Sequence, residues 1–445
     1  MPARRLIALA LAGALLLAGC ATPHAPADRA EAPPQARACP AELPAGTRCL
    51  AGRDAAGAFY LVALPAQWNG TLVLHAHGGP TLGAPTLERT EEDLKRWAIV
   101  VRAGYAWAGS SFRQGGVAVH AAAEDTERLR RLFVAQVARP KMTILHGQSW
   151  GAGVAATAAS LYGNAQPRPY DAVLLTSGVL AGGSRAYDFR LDLRVIYQAL
   201  CGNHPRADEE AYPLWMGLPP GAKLTAGELH QRVDACLGLD RPAAQRTAPQ
   251  QEKVDAIVRT LHIPASAIQG HMAWATFHFR DIAERMGGRS VFGNEGVRYQ
   301  GSRDDDALNA AVARYARDPA AWSAFARDTD PDGHIPVPVL TVHGIGDPTA
   351  FVEMDDTFLH TMQAAGTADH LVQTFTDHAT HSYLADPVYP ALLVALSTWA
   401  QGGPKPSPGQ VAQQCLAMEA RFGPGCRFRP DFRPGPLATR VAPRD

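Results

Sequence analysis

Met142-Thr143-Ile144-Leu145-His146, then Gly147-Gln148-Ser149-Trp150-Gly151, then Ala152-Gly153-Val154-Ala155-Ala156-Thr157-Ala158-Ala159: this run decides the fold. The first five residues read as a buried strand, and the last eight as a helix of small side chains. Between them stands G-x-S-x-G, the pattern of a nucleophile elbow. A serine on so sharp a strand-to-helix turn holds strained backbone angles, and a Cβ at either flanking glycine would strike neighbouring backbone. The turn lifts the hydroxyl above the sheet edge, and the helix N-terminus beside it favours developing negative charge. Five letters also occur by chance in glycine-rich turns, so the flanking strand and helix carry the reading.

Working outward, Phe59–Leu64, Thr71–Ala76, Tyr105–Ala108 and Ala172–Thr176 read as strands. Glu91–Ala103 and Val119–Val137 read as helices, the second with Leu129, Leu132, Phe133 and Val137 at helical spacing. Apolar strands alternating with helices predict an α/β fold, a mainly parallel sheet flanked by helices. The rhythm stops between about Gly182 and His334 and resumes with the strand Val337–His343. A helix over Asp355–Ala365 and a strand over His370–Phe375 follow. Asp386-Pro387 opens a last helix, with Asp as N-cap and Pro at N1. A gap of about 150 residues is too long for a loop, so it predicts an inserted, mainly helical cap over Ser149. Within it, Trp274, Phe277 and Phe279 are the candidate substrate contacts. The expected division is a signal at 1–20, a flexible tether at 21–38, a core at 39–183 and 335–403, the cap at 184–334 and a proline-rich tail at 404–445.

A serine nucleophile needs a base within hydrogen-bond reach and an acid to orient that base. Asp347 follows a strand in Gly344-Ile345-Gly346-Asp347-Pro348, with Glu353 and Asp355 as substitutes. The loop after the last strand offers His378 and His381; His381 lies deeper in the loop and is the expected base. The tetrahedral intermediate needs two N–H donors. Trp150 follows the nucleophile, and His77-Gly78-Gly79-Pro80 follows an early strand. Pro80 has no N–H, so Gly79 is the second expected donor.

These residues together resemble the α/β-hydrolase superfamily, over roughly residues 59–182 and 337–399. Gly109-Ser110-Ser111-Phe112-Arg113-Gln114-Gly115-Gly116 and Thr380-His381-Ser382-Tyr383 are similar to a poorly characterised group of secreted bacterial members. The resemblance implies a serine hydrolase with no metal and no organic cofactor, most simply a carboxylic-ester hydrolase acting on a small-molecule ester. His77-Gly78-Gly79-Pro80 with Gly-x-Ser-Trp-Gly also resembles proline iminopeptidase-like exopeptidases. Those need cap carboxylates for a substrate ammonium, for which Glu209-Glu210 or Asp304-Asp305-Asp306 are the candidates. A non-catalytic binding lipoprotein on this scaffold would lack a triad member, and none is missing.

Arg4-Arg5, the apolar run from Leu6 to Ala18 and Leu17-Ala18-Gly19-Cys20 resemble a bacterial lipoprotein signal. Cys20 is then the lipidated residue, and Ala21 after it points to the outer membrane of the cell envelope. The remaining six cysteines form an even set suited to an oxidising compartment. Proximity favours Cys39–Cys49, Cys201–Cys236 and Cys415–Cys426. Lys+Arg and Asp+Glu are equal at 42 each, which gives no electrostatic case for nucleic acid. Asp328-Thr329-Asp330-Pro331-Asp332-Gly333 copies the start of a calcium loop, but Val339 stands at its twelfth position, so it reads as a polar turn. Nothing in the sequence fixes the acyl group, the alcohol or an oligomeric state.

Overall fold

The structure, a computed structural model, describes residues 31–444. The signal and Cys20 lie outside the described residues. Nine strands form one sheet: β1 (Gln35–Arg37), β2 (Arg48–Arg53), β3 (Phe59–Leu64), β4 (Thr71–Ala76), β5 (Ala106–Ser110), β6 (Met142–Gln148), β7 (Ala172–Thr176), β8 (Val339–Gly344) and β9 (Leu371–Thr376). Their spatial order is β1-β2-β3-β5-β4-β6-β7-β8-β9. The first three pair antiparallel at one edge, and the run from β5 to β9 is parallel. β1 and β2 went unread in the sequence, and β1 falls inside the stretch expected to be a tether. Its backbone pairs with Cys49–Ala51, and the Cys39–Cys49 disulfide anchors the same corner.

Before the cap come α1 (Leu87–Arg96), α2 (Ala98–Arg102), α3 (Val119–Gln136) and α4 (Trp150–Tyr162). The single helix expected over Glu91–Ala103 is thus two, divided at Trp97, whose buried ring packs against His146 and Tyr389. The two sheet faces separate by residue parity, as a pleat requires. Leu74, Leu145 and Val173 face α3 and α4; Val73, Ile144 and Leu174 face the opposite layer, with Trp97 and Val100. Gly151, Ala152, Gly153, Ala155, Ala156, Ala158 and Ala159 let α4 lie close on the sheet, and all are buried.

Between β7 and β8 the chain is helical: α5 (Gly183–Ala186), α6 (Asp188–Cys201), α7 (Ala226–Leu237), α8 (Ala248–Leu261), α9 (Ala265–Arg285), α10 (Asp305–Ala311) and α11 (Pro319–Thr329). Thr225 with Glu228 and Thr247 with Gln250 close capping boxes on α7 and α8, satisfying N–H groups that would otherwise lack partners. Cys201–Cys236 joins the end of α6 to α7. The calcium-like loop spends its carboxylates separately. Asp328 accepts from the backbone N–H groups of Val119 and His120, Asp330 from Ser184, and Asp332 from Ser160.

The chain ends with α12 (Met354–Ala364), α13 (Val388–Ala400) and α14 (Pro408–Phe422). Asp386 does not cap α13; Pro387 holds that position, and Asp386 instead takes hydrogen bonds from Arg102 and Tyr383. The expected tail carries structure of its own. α14 packs on α13 and is tied down by Cys415–Cys426, and Phe428 bridges to Thr376. Arg440 then reaches Glu353 and the His262 carbonyl, and Arg444 pairs with Asp192.

Candidate active site

Parallel pairing brings the ends of the central strands level. Ala76 stands opposite Gly147, Gln148 opposite Thr176, and Gly344 opposite Thr376. The loops after β4, β6, β8 and β9 therefore leave from one edge, where such sheets hold their ligands. Ser149 occupies the first turn there with φ 57° and ψ −121°, a conformation a non-glycine residue adopts only under constraint. The constraint is visible on both sides. A Cβ on Gly147 would lie 2.2 Å from the Gly151 carbonyl oxygen, and one on Gly151 would lie 2.2 Å from that of Ala76. Ser149 N–H donates to the Thr176 carbonyl at 2.9 Å, which pins the turn to β7.

Ser149 Oγ lies 2.8 Å from His381 Nε2. His381 Nδ1 lies 2.8 Å from Asp347 Oδ2 and 3.0 Å from Oδ1. Three loops far apart in sequence thus meet in one hydrogen-bonded line. Asp347 is buried, and its Oδ1 also accepts from the N–H groups of Thr349 and Ala350. Burial alone would raise its carboxyl pKa; hydrogen bonds from His343 and His381 outweigh that and hold it at about 2. His378 does not join the line. Its carbonyl accepts from Gly346 N–H, and its buried Nδ1 has no partner among the described residues.

Two groups missed in the sequence support these three. His343, the penultimate residue of β8, is buried between carboxylates: Nδ1 is 2.6 Å from Asp355 Oδ2, and Nε2 is 3.4 Å from Asp347 Oδ2. Nε2 also donates to the Ala350 carbonyl at 2.8 Å. Burial would lower its pKa, but the Asp355 charge and the bonds to both carboxylates push it up to about 10. Asp355 and Glu353, the substitutes for Asp347, are thereby engaged elsewhere, with His343 and Arg440. The signal was a histidine and an aspartate twelve residues apart, which means nothing until β8 and α12 are packed.

Arg89 of α1 donates to the Gly78 carbonyl at 2.6 Å. That carbonyl and the Gly79 N–H share one trans peptide, so holding the oxygen toward α1 turns the N–H to the opposite side. Gly79 has φ +67°, the left-handed region that favours glycine. Neither Gly79 N–H nor Trp150 N–H has a backbone acceptor among the described residues. The Gly109–Gly116 stretch supplies Phe112, whose ring stacks on His77 at 4.5 Å and meets Trp150 edge-on at 5.8 Å. Burial, aided by the Arg89 charge, lowers His77 to about 3 and keeps it neutral.

From the cap, α9 crosses this edge. His271 Nε2 donates to the Pro348 carbonyl and His278 Nε2 to the Pro80 carbonyl, each at 2.9 Å. The face bearing His271, Trp274 and His278 therefore spans from the acid loop to the loop of Gly79. The three expected contact residues part company here. Trp274 is on that face, stacked on His278 at 4.8 Å. Phe279 is fully buried in the cap, stacked on Phe292, and Phe277 is partly buried against the same apolar cluster. The carboxylates weighed for an ammonium are elsewhere: Glu209 pairs with Arg232, Asp304 caps α10, Asp305 accepts from Ser302, and Glu210 and Asp306 are exposed.

No protein-family model matches the sequence, and no curated protein matches it. Similar solved structures include an esterase from Aspergillus oryzae (13% identity, TM-score 0.42, 81% of each chain covered). A tannin acyl hydrolase from Aspergillus niger gives 11% identity and TM-score 0.43, over 85% of this chain and 83% of that one. The rice cell wall degrading esterase LipA from Xanthomonas oryzae gives 14% and 0.36, over 75% and 83%. Likeness at this level determines neither activity nor substrate; the strand order and the distances above define what this site is able to do.

Proposed function

We infer that the chain is a serine hydrolase of carboxylic esters. The observation that carries this is the line Ser149–His381–Asp347, with both hydrogen bonds at 2.8 Å. His381 Nε2 takes the Ser149 proton as Oγ attacks the ester carbonyl, and Asp347 holds the imidazolium that forms. The oxyanion meets the N–H groups of Trp150 and Gly79, with the α4 N-terminus behind the first. His381 next protonates the leaving alkoxide. It then deprotonates a water that frees the acid from Ser149. No step calls for a metal or an organic cofactor.

Turnover of 4-nitrophenyl esters against proline-aminoacyl amides tests the reading. Ester hydrolysis should fall by about 10⁴-fold or more in Ser149→Ala. Hydrolysis of the amides alone would overturn the ester assignment. For location, we propose export and lipid anchoring at Cys20, a reading supported by the three disulfides, which suit an oxidising compartment. Metabolic labelling with a fatty acid should mark the wild type and not Cys20→Ala; a labelled variant would refute the anchor.

A further inference from the structure

Arg190 of α6 is 4% exposed. Its guanidinium carbon stands 4.6 Å from the ring centroids of Phe189 and Trp274 and 5.1 Å from that of Tyr187. Nη1 donates to the Ala186 carbonyl at 3.2 Å, while Nε is buried without a partner among the described residues. Arg444, half-buried, sits on the Asp192 carboxylate; Arg190 has no acidic partner among the described residues. Burial lowers its pKa to about 10, which leaves it charged at neutral pH. Aromatic faces return part of the cost of burying that charge, and a hydrogen-bonded anion would return more.

The position of the charge is informative. Trp274 lies on the α9 face between His271, bonded to the loop of Asp347, and His278, bonded to the loop of Gly79. The guanidinium on Trp274 therefore stands beside the α9 face that spans the acid loop and the loop of Gly79, close enough for its charge to act on both His271 and His278. The neighbouring titratable groups are His271, edge-on to Phe189, His278, stacked on Trp274, and Tyr187. Burial lowers both histidines and raises Tyr187, so all three are neutral and none supplies the missing charge. Three rings surround the guanidinium, and Nε keeps an N–H without an acceptor among the described residues, a donor that a carboxylate would satisfy.

We propose that Arg190 receives an ionised carboxylate carried by the substrate, so that the preferred esters are those with a second, free carboxyl group. This rests on the ester-hydrolase reading and narrows its substrate class.

The test compares two esters of equal chain length, 4-nitrophenyl pentanoate and the 4-nitrophenyl monoester of glutaric acid. The wild type should favour the monoester in kcat/KM. Arg190→Gln should lower the monoester-to-pentanoate ratio by about 30-fold or more, mainly through KM, and Arg190→Lys should restore part of it. An unchanged ratio with pentanoate still turned over would overturn the proposal and leave the ester reading standing. No turnover of either ester by the wild type would overturn both. Glutarate, and not glutaramide, should inhibit the wild type competitively. Equal inhibition by the two would sink the proposal even where Arg190→Gln fails to fold.

Discussion

His378 and His381 share one loop, yet only His381 stands within hydrogen-bond distance of Ser149 and Asp347. His381→Ala is therefore expected to lower kcat by about 10³-fold or more, and His378→Ala by about threefold or less. Equal losses in steady-state assays would show that the loop, not the imidazole, matters. His343 makes a separate prediction. Its folded pKa of about 10 lies above the ordinary value, so its pairing stabilises the fold fully below about pH 6.5, and that contribution drains away as pH rises toward 10. Against wild type, His343→Gln should be less stable by a few kcal/mol, about 2–4, at pH 6, with the difference shrinking by pH 10. A pH-independent difference in urea unfolding would contradict the charge. Ser149, Asp347 and His381 were legible because strand ends and chain order restrict where they sit. His343, Arg89 and Arg190 were not, because their partners come from α12, the loop after β4 and α9.

At the scale of elements, the loop after β4 depends on α1. Arg89 holds the Gly78 carbonyl and pairs with Asp93, whose burial raises its carboxyl to about 7. Arg89→Ala frees that peptide to rotate, so kcat should drop by about tenfold or more with little change in KM. A rise in KM alone would mean that Arg89 serves binding instead. The elements most legible in the sequence were the buried apolar runs of β4, β6 and β7 and the helically spaced apolar residues of α3. β1 has three exposed residues and β2 is interrupted by glycine, so neither carries an apolar alternation. α1 is mostly polar and α2 apolar, and the break between them falls at Trp97, whose ring packs on His146 of β6 and Tyr389 of α13.

Over the whole molecule, the C-terminal residues tie core to cap. Arg440 joins Glu353, close to Asp347 in the chain, to the His262 carbonyl at the end of α8; Arg444 joins the chain end to Asp192 of α6. A proline-rich composition gave no hint of this, because the strap is held by single side chains and has no periodicity. Removing residues 436–445 exposes the buried Asp188 and Asp192 cluster and unties the cap, so Tm should fall by about 3–6 °C. An unchanged Tm would show that the strap carries no load. The long interruption of strand rhythm did mark where the helices between β7 and β8 would lie. It did not tell which face of α9 meets the catalytic edge, since His271 and His278 read there as ordinary helical residues.

The proposed nucleophile is Ser149, activated by His381. Peptide mapping by mass spectrometry after exposure to a fluorophosphonate tests it most directly. One adduct is expected, on the peptide carrying Ser149, absent in Ser149→Ala and slowed by about 10³-fold or more in His381→Ala. An adduct on another serine, or full labelling of Ser149→Ala, would contradict it.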